Sequence, residues 1–162
     1  AMALANGPDL LIADEPTSGL DVTLQAEILH RIRNLVKEQN ASVLLITHDM
    51  GVVAAMANTV GVIYSGNVVE SAEVVPLFRR PQHPYTWSLL QALPRIDDPG
   101  RRIEPLPGTP PDMIKLPAEC PFLPRCFKAQ SQCRTDPKPK LVEIEGMHFV
   151  ACYNPVVPEE DD

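Results

Sequence analysis

Two short apolar runs in the first third of the chain predict buried strands. Residues 10–13 read Leu-Leu-Ile-Ala, and residues 42–47 read Ser-Val-Leu-Leu-Ile-Thr. Continuous runs of this length are typical of strands covered on both faces, as in a parallel sheet between helices. Residues 22–38 between them predict a helix that Asp21 can cap. One apolar stripe recurs in it at helical spacing, formed by Leu24, Ile28, Ile32, Leu35 and Val36. Strand, helix and strand together predict a right-handed parallel crossover.

Further along, the pattern predicts a hairpin between short helices. Residues 51–57 are expected to be helical, and residues 59–64 and 68–70 to be strands joined by a turn at 65–67. Pro76 is expected to break or shorten a helix over residues 73–78, whereas Pro84 suits the first turn of a helix that reaches about residue 93.

The first five residues and the segment from residue 94 onward do not continue the pattern of alternating strands and helices. Residues 1–5 read as the last turns of a helix, so the start of the chain looks cut. From residue 94 onward the chain holds 13 of its 18 prolines. This composition predicts an extended arm over residues 94–119, whose order depends on packing against the preceding domain.

Two adjacent carboxylates, Asp14 and Glu15, stand where the first strand ends. The carboxyl ends of parallel strands border the crevice in which open α/β sheets bind ligands. Neighbouring negative charges repel, and a divalent metal with a phosphate ligand would neutralise them. The alternative is a helix N-cap followed by a first-turn acid. The crossover brings His48, at the end of the second strand, to the same edge, although His48 could be an ordinary strand-end histidine.

Composition and charge exclude several functions. The net charge of −7 and the aromatic content of 5% argue against a nucleic-acid surface, because neither phosphate-binding cations nor stacking platforms are gathered. No apolar run approaches the roughly 18–20 residues that cross a bilayer. The first residues lack the pattern of a secretion signal, so we expect a cytoplasmic protein.

Four cysteines fall close together at Cys120, Cys126, Cys133 and Cys152. Inert core thiols and two disulfides are alternatives, but a reducing compartment disfavours disulfides. A metal site is the remaining interpretation of the four cysteines. The spacing matches neither the C-x2-C pairs of zinc ribbons nor the ferredoxin patterns, so it leaves zinc and an iron–sulfur cluster both open.

Three of these stretches resemble motifs of ABC-type ATPases. Asp14 and Glu15 resemble the Walker B element, residues 18–21 (Ser-Gly-Leu-Asp) the D-loop, and residues 45–49 (Leu-Ile-Thr-His-Asp) the H-loop. The resemblance implies an α/β fold, with the C-terminal part of an ABC-type P-loop ATPase domain over residues 1–93, containing parallel strands and a small β-hairpin. The Pro-rich arm over 94–119 and an irregular four-cysteine region over 120–162 would follow.

The resemblance also implies roles at the strand edge. Asp14 would hold Mg²⁺, Glu15 would polarise the water that attacks the γ-phosphate of ATP, and His48 would contact that phosphate. Ser18 and Asp21 would face a second ATPase subunit in a head-to-tail dimer. The phosphate-cradling loop, the Q-loop and the signature motif would lie upstream, and no G-x-x-x-x-G-K-[ST] occurs in the 162 residues. We therefore expect this chain alone to be inactive.

The later stretches narrow the resemblance to the ATPase subunits of dipeptide and oligopeptide importers. Residues 83–86 (His-Pro-Tyr-Thr) resemble a segment of those subunits, although His83 itself reads as a polar turn residue. The cysteine region resembles their C-terminal region, in which four cysteines of some members hold a [4Fe-4S] cluster, with Zn²⁺ as the alternative here. His148, four residues before Cys152, could be a rival ligand of the metal. The alternatives are a surface residue or a residue that contacts a ligand without binding the metal. Three cations would offset the charge of a cluster: Arg125, Lys128 and Arg134.

The function implied is an ATP-hydrolysing subunit on the cytoplasmic face of the membrane that powers import of di- or oligopeptides. Its partners would be membrane permease subunits, the second ATPase subunit and, indirectly, an external solute-binding protein. Three alternatives stay open. They are an importer ATPase for nickel or another small solute, a non-transport ABC ATPase, and a truncated product whose metal-binding module docks on a partner without catalysis.

Overall fold

A computed structural model describes residues 6–93 and 106–157 of the chain. These residues belong to two compact units, Ala1–Asn58 and Thr59–Asp162. The helix end predicted at residues 1–5 and most of the first half of the arm, residues 94–105, lie outside the described residues. Within the described ranges, the structure contains no helix that combines the length and the apolar character needed to cross a membrane. The domain boundaries at 93 and 119 stay predictions.

The first unit is a parallel strand–helix–strand crossover followed by a short helix. Its elements are β1 (Leu10–Asp14), α1 (Val22–Glu38), β2 (Ser42–Ile46) and α2 (Met50–Met56). β1 and β2 pair in parallel, in a register that sets Leu10 beside Ser42 and Asp14 beside Ile46. The predicted crossover is therefore present, and both strands end at the same edge.

Helix α1 starts and stops at residues that satisfy its free backbone groups. Asp21 accepts hydrogen bonds from the amides of Thr23 and Leu24, both at 3.0 Å. At the other end Asn40 adopts a left-handed φ of 51°, and the Ala41 amide donates to the Val36 carbonyl at 3.0 Å. This arrangement is a Schellman motif, in which Asn takes the place that Gly usually holds.

The apolar stripe predicted for α1 is partly wrong. Leu29 is the residue that α1 buries, whereas Leu24 and Leu35 are exposed. Periodicity places several apolar residues near one side of a helix, but only the packed neighbours decide which of them are covered.

The prediction that both faces of the first strands are buried is also wrong for the described residues. Side chains alternate across a strand, and one face of the β1–β2 sheet is half-buried. The other face carries apolar side chains that are 46–60% exposed, namely Leu10, Ile12, Leu44 and Ile46. Within the first unit, no element of residues 6–58 buries this face.

The second unit contains one antiparallel sheet with strand order β3-β4-β6-β5. Its strands are β3 (Thr59–Tyr64), β4 (Asn67–Glu73), β5 (Val142–Glu145) and β6 (His148–Val150). Ser65 and Gly66 join β3 to β4 with φ of 46° and 73°, the two positive values of a type I′ turn. β6, which lies between Cys133 and Cys152 in the chain, pairs with β4 and so extends the predicted hairpin.

Three short helices complete the second unit: α3 (Val74–Arg79), α4 (Pro84–Gln91) and α5 (Gln132–Thr135). A 3₁₀ turn covers Leu123–Arg125. The expectation that Pro76 breaks α3 is wrong, because Pro76 occupies the first turn, where no helical acceptor requires its missing N–H. Pro84 begins α4 as predicted.

Aromatic contacts connect the cysteine region to the hairpin. Phe122 is 1% exposed and lies edge-on to Tyr64, with ring centroids 5.2 Å apart. Tyr85 from α4 contacts both rings, at 4.6 Å from Tyr64 and 5.4 Å from Phe122. Because Phe122 follows Cys120 by two residues, its burial fixes where the cysteine region begins to pack.

A buried carboxylate connects three separate segments of the second unit. Glu70 of β4 is fully buried and accepts hydrogen bonds from the backbone amides of Gln82 (2.7 Å) and His83 (2.9 Å). His148 Nε2 of β6 donates to the same carboxylate at 2.7 Å. A buried charge is tolerated only when such donors satisfy it, so Glu70 holds the start of α4 and the edge of β6 to β4.

We expect Glu70→Ala to lower the free energy of unfolding by about 3–5 kcal/mol, because it leaves buried amides and an imidazole without their acceptor. Urea unfolding followed through the single tryptophan, Trp87, measures the change. Glu73→Ala, at the exposed end of the same strand, is the matched control and should change stability by no more than about 0.5 kcal/mol. Equal effects of the two variants would contradict this role of Glu70.

Candidate functional site

The first candidate site lies where β1 and β2 end. Glu15 directly follows β1, and its amide donates to the Ile46 carbonyl at 2.9 Å, so the strand pairing continues to this residue. Glu15 adopts a φ of 45°. A left-handed conformation at a residue other than Gly, Asn or Asp is costly, and such residues cluster at functional sites.

The structure brings Glu15 and His48 together at this edge. Glu15 Oε1 accepts from the His48 amide at 3.2 Å and from His48 Nδ1 at 2.7 Å. The His48 side chain is 85% exposed and that of Glu15 36% exposed. The hydrogen bond from His48 to Glu15 and the negative charge of Glu15 raise the pKa of His48 above its usual value. The imidazole of His48 is therefore protonated up to a higher pH than an isolated histidine, and its Nε2 is open to a ligand.

The other residues predicted for this site occupy the same loop. Asp14 is exposed at the end of β1. Ser18 donates its amide to the Glu15 carbonyl at 3.1 Å, and Gly19 with a φ of 75° completes the turn. Asp21 ends the loop as the cap of α1. Its carboxylate thus has a local structural task, which the sequence indicated, while its predicted role toward a partner stays a prediction.

A contact between α1 and the loop after β2 fixes Asp49, the neighbour of His48, and no sequence motif indicated it. Asp49 caps α2 through the amides of Gly51 and Val52, and it also accepts from Gln25 Nε2 at 2.9 Å. The hydrogen bond from Gln25 lowers the pKa of Asp49, as do those from the two amides. No sequence pattern distinguishes Gln25 from an ordinary surface glutamine.

The second candidate site is a cavity that all four cysteines line. The side chains of Cys120, Cys126, Cys133 and Cys152 share it with others that include His83, Phe122 and Lys128. All four are free thiols, so the disulfide alternative is absent from this structure. As placed in residues 6–93 and 106–157, however, no group of three or more His, Cys, Asp or Glu side chains is arranged to hold a metal ion.

Burial controls the chemistry of these thiols. It raises the pKa of Cys120 and Cys126, and it raises the pKa of Cys152 to about 12. Neighbouring thiols add to each shift, whereas Lys128 weakly lowers the pKa of Cys126. Because the thiolate is the reactive and ligating form, the raised pKa values make Cys120, Cys126 and Cys152 less reactive than ordinary thiols.

The cations predicted to surround the cysteines are placed differently from one another. Lys128 lines the cavity, and its Nζ donates to the Pro155 carbonyl at 2.8 Å. Arg125 instead donates to the carbonyls of Pro107 and Leu106, which fixes the middle of the arm. Arg134 is exposed on α5.

The two histidines of the second unit are placed differently from the sequence-based predictions. His148, the predicted rival ligand, is buried and donates to Glu70, and it is not among the residues that line the cavity. His83 is not an ordinary polar turn residue, because it is 1% exposed and its Nδ1 caps α4 by accepting from the Tyr85 amide at 3.0 Å. Burial lowers the pKa of His83 to about 4.

We expect Glu15→Gln to lower the pKa of His48 toward about 6.5, because the variant removes the negative charge that favours the imidazolium. NMR titration of the His48 ring in this chain measures the pKa. Glu27→Gln is the matched control, since Glu27 lies on α1 and pairs with Arg31. A pKa of His48 that is the same in both variants would contradict the contact.

Comparison with known proteins agrees with the motifs. Residues 69–133 match the family described as the oligopeptide/dipeptide transporter, C-terminal region. The chain is 44% identical over 156 residues to the oligopeptide transport ATP-binding protein OppD of Salmonella typhimurium, which covers 96% of this chain and 46% of that protein. It is 50% identical over 153 residues to the dipeptide transport ATP-binding protein DppD of Bacillus subtilis, covering 94% and 45% respectively.

A longer relative shows the same similarity. The oligopeptide transport ATP-binding protein OppD of Mycobacterium tuberculosis is 48% identical over 153 residues, which cover 94% of this chain and 25% of that protein. The chain thus spans about half the length of the first two relatives and a quarter of the third. Nearly the whole chain is therefore similar to about half of each of the first two ATP-binding proteins of oligopeptide and dipeptide transport, and residues 69–133 match the oligopeptide/dipeptide transporter, C-terminal region.

Proposed function

We propose that this chain is part of an ATP-hydrolysing subunit that powers the import of di- or oligopeptides through a membrane permease. The observation that carries the proposal is the contact of Glu15 with His48 at the shared end of two parallel strands. The names of the relatives point to the same activity. The substrate of the proposed reaction is Mg²⁺-bound ATP, and its phosphates would lie at this edge.

Each residue at the edge has a distinct task in this mechanism. Asp14 is exposed and acidic, as a ligand to hydrated Mg²⁺ should be. Glu15 Oε1 is occupied by two donors from His48, so Oε2 is the oxygen that would accept the proton of the attacking water. His48 keeps Glu15 oriented and directs Nε2 toward the γ-phosphate. The raised pKa of His48 favours the charged imidazole, which suits an anionic ligand.

The proposed assembly needs surfaces beyond this site. Ser18 is exposed in the loop after β1, where it could contact a second ATPase subunit placed head to tail. The subunit would act on the cytoplasmic face of the membrane, bound to permease subunits that receive their solute from an external binding protein. Peptides are the cargo that we propose, because the names of the relatives specify oligopeptides and dipeptides.

In the whole subunit, Glu15→Gln should retain ATP binding and reduce turnover at least 100-fold, that is by roughly the contribution of a general base. Equilibrium binding of ATP and release of phosphate are the two measurements. Glu27→Gln should leave both unchanged, because Glu27 pairs with Arg31 on the surface of α1. Turnover close to normal in Glu15→Gln would remove Glu15 from the catalytic role.

We also propose that the cysteine region holds an iron–sulfur cluster of the [4Fe-4S] type. The donor set supports this, since four free thiols line one cavity and Lys128 supplies a positive charge beside them. Zinc, the alternative metal, takes the same thiolate donors. When bound, the cluster supplies one-electron redox chemistry or a rigid covalent centre.

The chain reconstituted without oxygen from equal amounts of ferrous and ferric iron and from sulfide should be brown, with visible absorbance that Cys133→Ser abolishes or strongly weakens. Ser131→Ala, an exposed change two residues away, should keep the colour. The measurements are the visible spectrum and the iron, sulfide and zinc contents. A colourless chain that retains zinc would favour the alternative metal, and retention of full colour in Cys133→Ser would remove that ligand.

A further inference from the structure

Gln25 of α1 contacts the residue that follows His48. Its Nε2 donates to Asp49 Oδ2 at 2.9 Å, and both side chains are half-buried. An ionised carboxylate only accepts hydrogen bonds, so the nitrogen of the Gln25 amide, and not its oxygen, faces Asp49. The contact is therefore a charge-assisted hydrogen bond between α1 and the loop after β2.

The two carboxylate oxygens of Asp49 bind different helices. Oδ1 accepts from two amides of the first turn of α2, at 2.8 and 3.2 Å, whereas Oδ2 binds Gln25 of α1. The Asp49 amide in turn donates to Thr47 Oγ1 at 3.1 Å. The backbone directly after His48 is therefore attached to α1 and α2 together.

The imidazole of His48 depends on this attachment because little packing holds it. Its side chain is 85% exposed. Its amide and its Nδ1 both donate to Glu15 Oε1. An exposed ring with one hydrogen-bonded neighbour keeps its orientation only if the backbone that carries it is fixed.

The Gln25 contact closes a ring of connections around the acid and the imidazole. The chain leads from Glu15 through the loop into α1, where Gln25 binds Asp49 beside His48, and His48 binds Glu15 again. Strand pairing fixes Glu15 and His48 from one side, since β1 and β2 end there. Gln25 fixes them from the side of the helices.

We infer that Gln25 is a positioning residue for the proposed hydrolysis of ATP, which holds the backbone beside His48 so that the imidazole and Glu15 are aligned before the nucleotide binds. The inference rests on the proposed function. A misplacement of about 1 Å can lower the rate of a reaction by about 100-fold. Because Gln25 acts through Asp49 and His48, its loss should affect turnover and not the affinity for ATP.

Three variants separate this role from general packing of α1 on α2. Gln25→Met keeps the length and the helix propensity of the side chain and removes the donor. Gln25→Lys restores a donor, since an ammonium group on a long side chain can reach Asp49 Oδ2. Arg33→Ala is the matched control, because Arg33 joins the same two helices further along by donating to the Ala55 carbonyl.

In the whole subunit, we expect Gln25→Met to slow phosphate release about tenfold while equilibrium binding of ATP stays within about twofold of normal. Gln25→Lys should recover at least about half of the lost rate, because it again binds Asp49. Arg33→Ala should keep normal turnover even where it lowers the melting temperature.

Hydrogen exchange in this chain tests the same contact without the reaction. The His48 amide donates to Glu15, so it should exchange about fivefold faster in Gln25→Met and at the normal rate in Arg33→Ala. NMR measures the exchange, and thermal unfolding measures the stability of each variant.

The outcomes that overturn the inference differ from those that overturn the proposed function. If Glu15→Gln turns over normally, the proposed function fails and the role of Gln25 in hydrolysis fails with it. If Glu15→Gln loses turnover but Gln25→Met keeps normal turnover and normal exchange at His48, only the inference about Gln25 is wrong.

Two further results would also contradict the positioning role. Equal losses of turnover and of melting temperature in Gln25→Met and Arg33→Ala would show that any break between α1 and α2 has the same effect. A well-folded Gln25→Lys that is as slow as Gln25→Met would show that the donor to Asp49 is not what turnover requires.

Discussion

The second unit depends on the hydrogen bonds that protein donors make to one buried carboxylate. Glu70 is removed from water, and that cost is offset by two amides that precede α4 and by the imidazole of His148. These donors come from segments 12 to 78 residues away in the chain. Satisfying this single charge therefore places the start of α4 and the strand β6 against the hairpin.

The position of the cysteine cavity follows from that arrangement. His83 is fixed through its amide to Glu70, and Phe122 packs between the hairpin and α4, so the segment that contains Cys120 and Cys126 must lie beside both. Cys152 is brought near by β6, whose neighbouring residue Val150 pairs with Glu70. The polar network and the aromatic core thus together place the segments that carry Cys120, Cys126 and Cys152.

In the first unit, strand topology places an acid, Glu15, and an imidazole, His48, side by side. Parallel strands joined by a right-handed crossover end at one edge, and the bond from Glu15 to Ile46 carries the pairing one residue past β1. The strained φ of Glu15 directs its carboxylate to His48. Gln25 and Asp49 then hold the loop after β2.

Local patterns in the sequence determined the crossover, the capping by Asp21, the hairpin and the meeting of Glu15 with His48, because each depends on neighbours in the chain or on strand topology. Only the tertiary structure decided that Glu70 is buried, that His83 rather than His148 faces the cysteines, and that Leu29 rather than Leu24 is covered. A glutamate or a histidine has the same local pattern on a surface as in a core. Its environment is set by partners far away in the chain, which periodicity does not reveal.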